Sequence, residues 1–265
     1  MAAAVRETLH KLQGESPRAL VRRPSPLLAQ GIVTHLQRRP VDVERALTQW
    51  SAYAEALAGA GFRLVEVDPA DACPDGVFVE DAVVVHGGLA VIARSGAEAR
   101  LAESASVEAA IRLLGLPVGR IETPGTLDGG DVLIVGDTVY VGTGGRTNTE
   151  GARQLRKLLD AEVVEIPVSG VLHLKSAVTA LPDGTVVGYP PLAPDPELFH
   201  SFLAVPEPSG AHVVVLGEDR VLVAADCPNS AELYAARGLE VFAVDIGEFQ
   251  KLEGCVTCLS VLISA

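Results

Sequence analysis

Aromatic residues make up only 4% of this 265-residue chain, and its 21 Lys and Arg are outnumbered by 34 Asp and Glu. A formal charge of −13 with so few stacking surfaces argues against a nucleic-acid binder, which needs a basic face and usually aromatic platforms. A cationic small substrate remains compatible with it. The four cysteines, Cys73, Cys227, Cys255 and Cys258, are too few for a disulfide framework. No apolar run approaches the roughly 18 residues that span a bilayer, so no membrane partner is expected. The first ten residues lack a basic stretch followed by an apolar one, so no secretory signal is expected either. Together these absences lead to a soluble, reduced, cytoplasmic protein.

Glycine and proline, by contrast, are plentiful, with 26 and 17 copies, and 48% of the residues are apolar. That rules out both intrinsic disorder and a helical bundle, and it promises many turns. The length suits one domain over residues 1–265, with residues 1–18 as an N-terminal tail.

The periodicity alternates. Val43, Ala46, Leu47, Trp50, Tyr53, Ala54 and Leu57 recur at helical spacing before Gly59 and Gly61, and Phe62 to Val67 follows as a strand. The same helix-then-strand unit recurs over 98–123, 148–168 and 229–245. Paired apolar runs joined by tight turns lie at 82–93, 132–141, 177–188 and 212–224, with hairpin-type residues at each turn. The chain therefore repeats a hairpin, helix and strand about every 45–50 residues, a period typical of propellers and arrays. Val256 to Ile263 has no helix after it, and Ala19 to Arg23 has no local strand partner. Pairing these two ends closes a fifth module, which makes an α/β propeller a better expectation than a Rossmann sheet.

The openings of the hairpins carry chemistry. They bring Asp75, Glu80 and Asp81, then Asp128 and Asp131, then His173, and finally Cys255 and Cys258. Modules arranged around an axis converge these openings on one cleft, where carboxylates, an imidazole and a thiol are the parts of a Cys-His-acid hydrolase. Cys73 and Cys227 read as buried filler. Cys255-Val-Thr-Cys258 also has the spacing of a redox or metal pair, although a lone C-x-x-C without a second ligand pair is a weak signal.

Five ordered motifs carry a resemblance. Asp75-x-x-Phe78-Val-Glu80-Asp81, Leu127-Asp128-Gly-Gly-Asp131, Gly145-Arg146-Thr-Asn148-x-x-Gly151, Leu172-His173-Leu-Lys175-Ser176 and Thr257-Cys258-x-Ser260 resemble the dimethylarginine dimethylaminohydrolases of the guanidino-modifying pentein superfamily. The resemblance runs from about residue 19 to the C-terminus and implies the pentein fold, a five-module α/β propeller with pseudo-fivefold symmetry. It implies hydrolysis of methylated arginine to L-citrulline and a methylamine without a cofactor, with Cys258 as nucleophile, His173 as proton donor and acceptor, and Asp128 as the acid orienting the imidazole. Asp128 departs from the Glu that many bacterial members carry. The resemblance further gives Asp81, Glu80 and Asp75 to the guanidino end and Arg100 and Arg146 to the substrate carboxylate. Val33 or Ile32 becomes the cover of a mobile lid, and Leu252 a backbone contact. No metal is required, Cys258 is a candidate ligand for inhibitory zinc, and a homodimer is compatible with it. Arginine deiminase or another small-guanidine hydrolase shares the same triad, and a silent binding propeller of this fold is the remote alternative.

Overall fold

The computed structural model describes residues 16–263, and most of the expected tail (residues 1–15) lies outside them. The first strand begins inside the expected tail boundary: β1 is Arg18–Val21. It pairs antiparallel with β15, Val261–Ile263, from the other end of the chain (Arg18 opposite Ile263), and parallel with β2, Arg63–Glu66. The two termini thus close one module. Its crossover is α1, Val43–Gly59, capped by the Asp42 carboxylate, which accepts the Arg45 N–H at 3.0 Å. The buried stripe Ala46, Trp50, Tyr53, Ala54 and Leu57 faces the core, as its spacing predicts.

The same unit repeats around the molecule. β3 (Val83–His86), β4 (Leu89–Ile92), α2 (Ser104–Leu113) and β5 (Val118–Arg120) form the second module. β6 (Val132–Val135), β7 (Thr138–Thr143), α3 (Thr149–Leu159) and β8 (Glu162–Pro167) form the third. In the fourth, β9 (Val178–Ala180) and β10 (Val186–Gly188) reach β11 (Phe202–Ala204) through a proline-punctuated loop with one 3-10 turn, Pro196–Leu198, in place of a helix. β12 (Val214–Val215), β13 (Arg220–Ala224), α4 (Pro228–Ala236) and β14 (Glu240–Val244) make the fifth, followed by the short helix α5, Gly247–Gln250.

In every sheet the middle strand is antiparallel to one neighbour and parallel to the other: a tight turn joins the antiparallel pair in four modules and the two chain ends form it in the remaining one, while a crossover delivers the parallel strand. One strand of each sheet, β3, β6, β9, β12 and β15, contributes to the wall of a single central cavity of about 530 Å³. This shared wall is the axis of a five-module propeller. Core side chains such as Val91, Val139, Val187, Leu222 and Leu57 fill the space between sheets and crossovers. No helix among the described residues is long and apolar enough to cross a membrane.

Candidate active site

The hairpin openings of several modules meet around a second, smaller cleft. Its wall includes Ile32, Asp75, Phe78, Asp81, Arg100, Arg146, Leu172, His173, Leu252, Glu253, Gly254 and Cys258. Sequence positions from near both ends of the chain reach it because the ring closes on itself.

Asp81 lies in a 3-10 turn, Val79–Ala82, directly before β3. Its Oδ2 holds Arg100 Nη1 at 2.6 Å, its Oδ1 accepts the Gly130 N–H at 3.0 Å, and the same oxygen is 3.6 Å from His173 Nδ1. The other face of the imidazole meets Asp128, with Nε2 to Oδ2 at 3.1 Å. His173 is therefore clamped between two buried carboxylates. Two glycines make this approach feasible. A Cβ on Gly129 would stand 2.0 Å from the Glu80 carbonyl oxygen, and one on Gly130 would stand 2.6 Å from both Asp81 Oδ1 and His173 Nδ1. The Leu127-Asp128-Gly-Gly sequence is thus required by close packing rather than by phosphate binding.

Asp131 supports the imidazole from behind. Its Oδ1 accepts the Leu174 N–H at 2.9 Å, one residue past His173, and Thr147 Oγ1 donates to its Oδ2 at 2.7 Å. Asp128 accepts the Gly96 N–H and receives no solvent. Burial alone disfavours the ionised Asp128, but the hydrogen bond and charge of His173 outweigh it and hold the carboxyl down at about 2. Burial likewise opposes the charged imidazole, yet Asp81, Asp128 and Asp131 raise His173 to about 10. Asp131 is pushed up to about 6 by burial, its hydrogen bonds compensating only in part. The resting site therefore holds an imidazolium between carboxylates.

Cys258 sits in the 3-10 turn Thr257–Leu259 leading into β15. Its N–H donates to the Cys255 carbonyl at 3.2 Å, and the Cys255 N–H donates to the Cys258 Sγ at 3.3 Å. The Cys255 side chain, burial and the nearby Glu80 and Asp81 charges push the thiol well above its ordinary value, so the empty site keeps it neutral. The turn is pinned from the core, where the Tyr53 hydroxyl donates to the Val256 carbonyl at 2.8 Å and hydrogen-bonds Ser260 Oγ at 2.7 Å.

The remaining expected residues are placed as follows. Asp75 is buried and accepts the Ile32 N–H with both oxygens at 3.1 Å. Arg100 is held by Asp81, by Glu103 at 2.7 Å and by the Asp75 and Phe78 carbonyls, so its donors already have acceptors. Arg146 is looser, with Nη1 3.7 Å from Asp128 Oδ2 and Nη2 3.5 Å from Thr34 Oγ1. Leu252 lines the cleft. Glu80 does not: it pairs with Lys175 at 2.6 Å and, with it, lines the strand-walled central cavity. In the segment expected to act as a lid, it is Ile32 that reaches the cleft, whereas Val33 packs against the core cluster around α1. Asp81, Asp128 and His173 offer ligand atoms within 4.8 Å of one another and are the group, among the described residues, that could hold a cation; Cys258 is outside that group.

Sequence reasoning passed over Glu253. It adopts φ +64°, rare for a residue with a side chain, and its carboxylate accepts the N–H groups of Thr34 and His35 at 2.6 Å and of Leu36 at 3.1 Å. The signal was faint, an acid beside a glycine just before the Cys motif. With the lid held this way the cleft has about 10 Å³ of free space, room for roughly one water.

A ring of five such modules with its reactive groups gathered at one mouth of the axis defines a pentein, the α/β propeller of guanidine-modifying enzymes. The N(G),N(G)-dimethylarginine dimethylaminohydrolase of Streptomyces coelicolor is 63% identical over 249 residues, covering 93% of this chain and 96% of that protein. A dimethylarginine dimethylaminohydrolase crystal structure carrying an S-methyl-L-thiocitrulline adduct superposes with a TM-score of 0.87 at 31% identity, covering 94% of this chain and all of the other. The Pseudomonas aeruginosa enzyme, as a mutant complexed with citrulline, gives 0.86 at 32% identity over 94% of this chain and 99% of that one. No protein-family model matches the chain. The chain belongs to the dimethylarginine dimethylaminohydrolase family.

Proposed function

We propose that this protein hydrolyses Nω,Nω-dimethyl-L-arginine or Nω-monomethyl-L-arginine to L-citrulline and dimethylamine or methylamine. The observation that carries the reading is the convergence of Cys258 and a doubly clamped, protonated His173 on one closed cleft, in a chain 63% identical to a curated dimethylarginine dimethylaminohydrolase.

A guanidinium carbon is a poor electrophile because its charge is spread over three nitrogens, so the site needs a strong nucleophile and carboxylates that fix the planar cation. Asp81 serves as the acid for the guanidino nitrogens, with Asp75 near it and Glu80 one residue behind. Arg146, backed by Arg100, faces the carboxylate end of the substrate, as a planar guanidinium suits. Ile32 covers the substrate and Leu252 flanks it.

A bound cation beside the sulfur favours the thiolate that the empty site disfavours. The Cys258 thiolate attacks the guanidinium carbon, forming a carbon–sulfur bond and a tetrahedral adduct. Imidazolium His173 gives its proton to the departing amine, which leaves an alkylthiouronium on sulfur. The neutral imidazole then takes a proton from water as it attacks the same carbon. Citrulline leaves as the carbon–sulfur bond breaks. Asp128 keeps the imidazole oriented throughout and stabilises its charged form before the first step and after the second.

All four thiols are free and buried, which fits our placement of the protein in a reducing cytoplasm. Citrulline release from dimethylarginine and from arginine, with Cys258→Ser as control, tests the reading. Turnover confined to the methylated substrates and absent from the control is expected. Equal turnover of arginine would overturn the substrate assignment, and an active control would overturn the mechanism.

A further inference from the structure

The hydrolysis uses one cysteine, yet the structure places a second against it. Cys255 and Cys258 sit at the ends of one turn, closed by the Cys258 N–H to Cys255 carbonyl bond at 3.2 Å. A turn of that kind holds its end Cα atoms within about 7 Å, which overlaps the roughly 4.4–6.8 Å span of disulfides. The Cys255 N–H also points at the Cys258 sulfur, 3.3 Å away. Both sulfurs are buried on this one turn. The other two cysteines stand apart: Cys227 donates to the Ala224 carbonyl, and Cys73 belongs to the loop before Asp75.

Access differs between the paired sulfurs. Cys258 lines the cleft and Cys255 does not. With the lid held by Glu253 and Asp75, the cleft has room for roughly one water-sized molecule. Dimethylarginine is far too large for that space, whereas hydrogen peroxide is close to it in size. The closed site therefore excludes substrate while leaving the nucleophile open to a small oxidant.

We propose that Cys255 and Cys258 form a reversible dithiol–disulfide site, in which Cys255 resolves the oxidised nucleophile. The Cys258 thiol gives up its proton as its sulfur attacks one peroxide oxygen; the O–O bond breaks, the departing hydroxide takes that proton and leaves as water, and a sulfenic acid remains. The Cys255 sulfur then attacks the sulfenic sulfur, the S–O bond breaks and a second water leaves with the Cys255 proton. Two thiols are oxidised to one disulfide, and one peroxide is reduced to two waters. An external dithiol reverses the step by exchange. The consequence for activity rests on the proposed role of Cys258 as nucleophile; the disulfide chemistry does not.

Trypsin provides the readout, because it cuts after Lys251 and no Lys or Arg within 252–265 separates Cys255 from Cys258, so the peptide starting at Leu252 carries both. After peroxide treatment of the full-length protein, this peptide is expected to weigh two hydrogens less and to resist iodoacetamide. Citrulline release is expected to be lost and to return with dithiothreitol. In Cys255→Ser the same peptide should gain oxygen atoms, and excess peroxide should cause a loss that dithiothreitol does not reverse. Oxygen adducts on the wild-type peptide, with Cys255 still open to alkylation, would overturn the proposal even if the variant fails to fold. A disulfide that forms while Cys258→Ser remains active would leave the redox site standing and remove the hydrolase reading instead.

Discussion

Glu253 can be tested as the latch of the lid, and the structure sets the size of the effect. Its carboxylate receives three backbone N–H groups from Thr34, His35 and Leu36, while Asp75 holds Ile32 independently. Bonds of this kind contribute about 1 kcal/mol each, and they do not add fully, because water replaces them once the segment lifts. Glu253→Ala should therefore cost about 2 kcal/mol of closure, or roughly a 30-fold larger open fraction. The left-handed φ of Glu253 costs on the order of 1 kcal/mol in its own right, and these contacts are what offset it. Limited trypsin digestion between Arg38 and Arg39 reads the open fraction directly, since reclosing is fast and cleavage follows the population of the open form. Arg38 is itself tied down in the closed state, its guanidinium donating to the Ala29 and Gly31 carbonyls. Cleavage at this bond should rise roughly 30-fold in Glu253→Ala and less in Glu253→Gln, which keeps an acceptor oxygen. The unfolding midpoint should barely move, because the segment is exposed. A cleavage rate within twofold of wild type would refute the latch.

Further predictions follow from the same geometry. Asp128→Asn removes the charged partner of His173, so kcat should fall by about two to four orders of magnitude, and the imidazole, read by NMR titration, should drop from about 10 towards its ordinary value. An unchanged His173 titration would show that Asp128 does not set its charge. The His173–Asp128 pair also makes stability pH-dependent. His173 is raised, so its contribution is full below its unfolded value and is lost as pH climbs towards about 10; Asp128 is depressed, so its contribution is full above about 4 and is lost as pH falls through about 2. The urea midpoint should therefore decline between about pH 7 and about pH 10, and Asp128→Asn should flatten that decline. Tyr53→Phe strips the hydroxyl that holds Val256 and Ser260, which should cost roughly 1–3 kcal/mol in urea denaturation and lower kcat, since the same turn carries Cys258.

Much of the ring was legible because its signals are local. Hairpin turns such as Gly136-Asp137 and Asp183-Gly184 sit between apolar runs, and Val43 to Gly59 shows a helical stripe. The module closed by the two chain ends was legible only by subtraction, as two unpartnered strands at opposite ends, and β1 beside β15 supplies the pairing. The crossover of the fourth module has no helical stripe, and prolines at 190, 191, 194 and 196 explain why none forms. The lid was harder. A loop has no period, so neighbouring apolar residues cannot be ranked, and Ile32 rather than Val33 faces the cleft because Asp75 fixes the backbone at Ile32. Arg100 resisted for another reason: its partners Asp81 and Glu103 are near in sequence, but the Asp75 and Phe78 carbonyls meet it only after folding.

The charge arrangement explains why an acidic protein suits this chemistry. His173 is raised because Asp81, Asp128 and Asp131 surround it, and Cys255, burial, Glu80 and Asp81 together raise the Cys258 thiol. Without substrate the site therefore favours the imidazolium and the neutral thiol. On the proposed role of Asp81, a guanidinium bound there would take over part of the role that the imidazolium plays, loosening the proton on His173 and favouring the thiolate at once. If the substrate supplies the charge that activates its own nucleophile, a neutral isostere occupying the same cleft should leave the thiolate ultraviolet absorbance unchanged where a guanidinium raises it; equal signals would refute the idea.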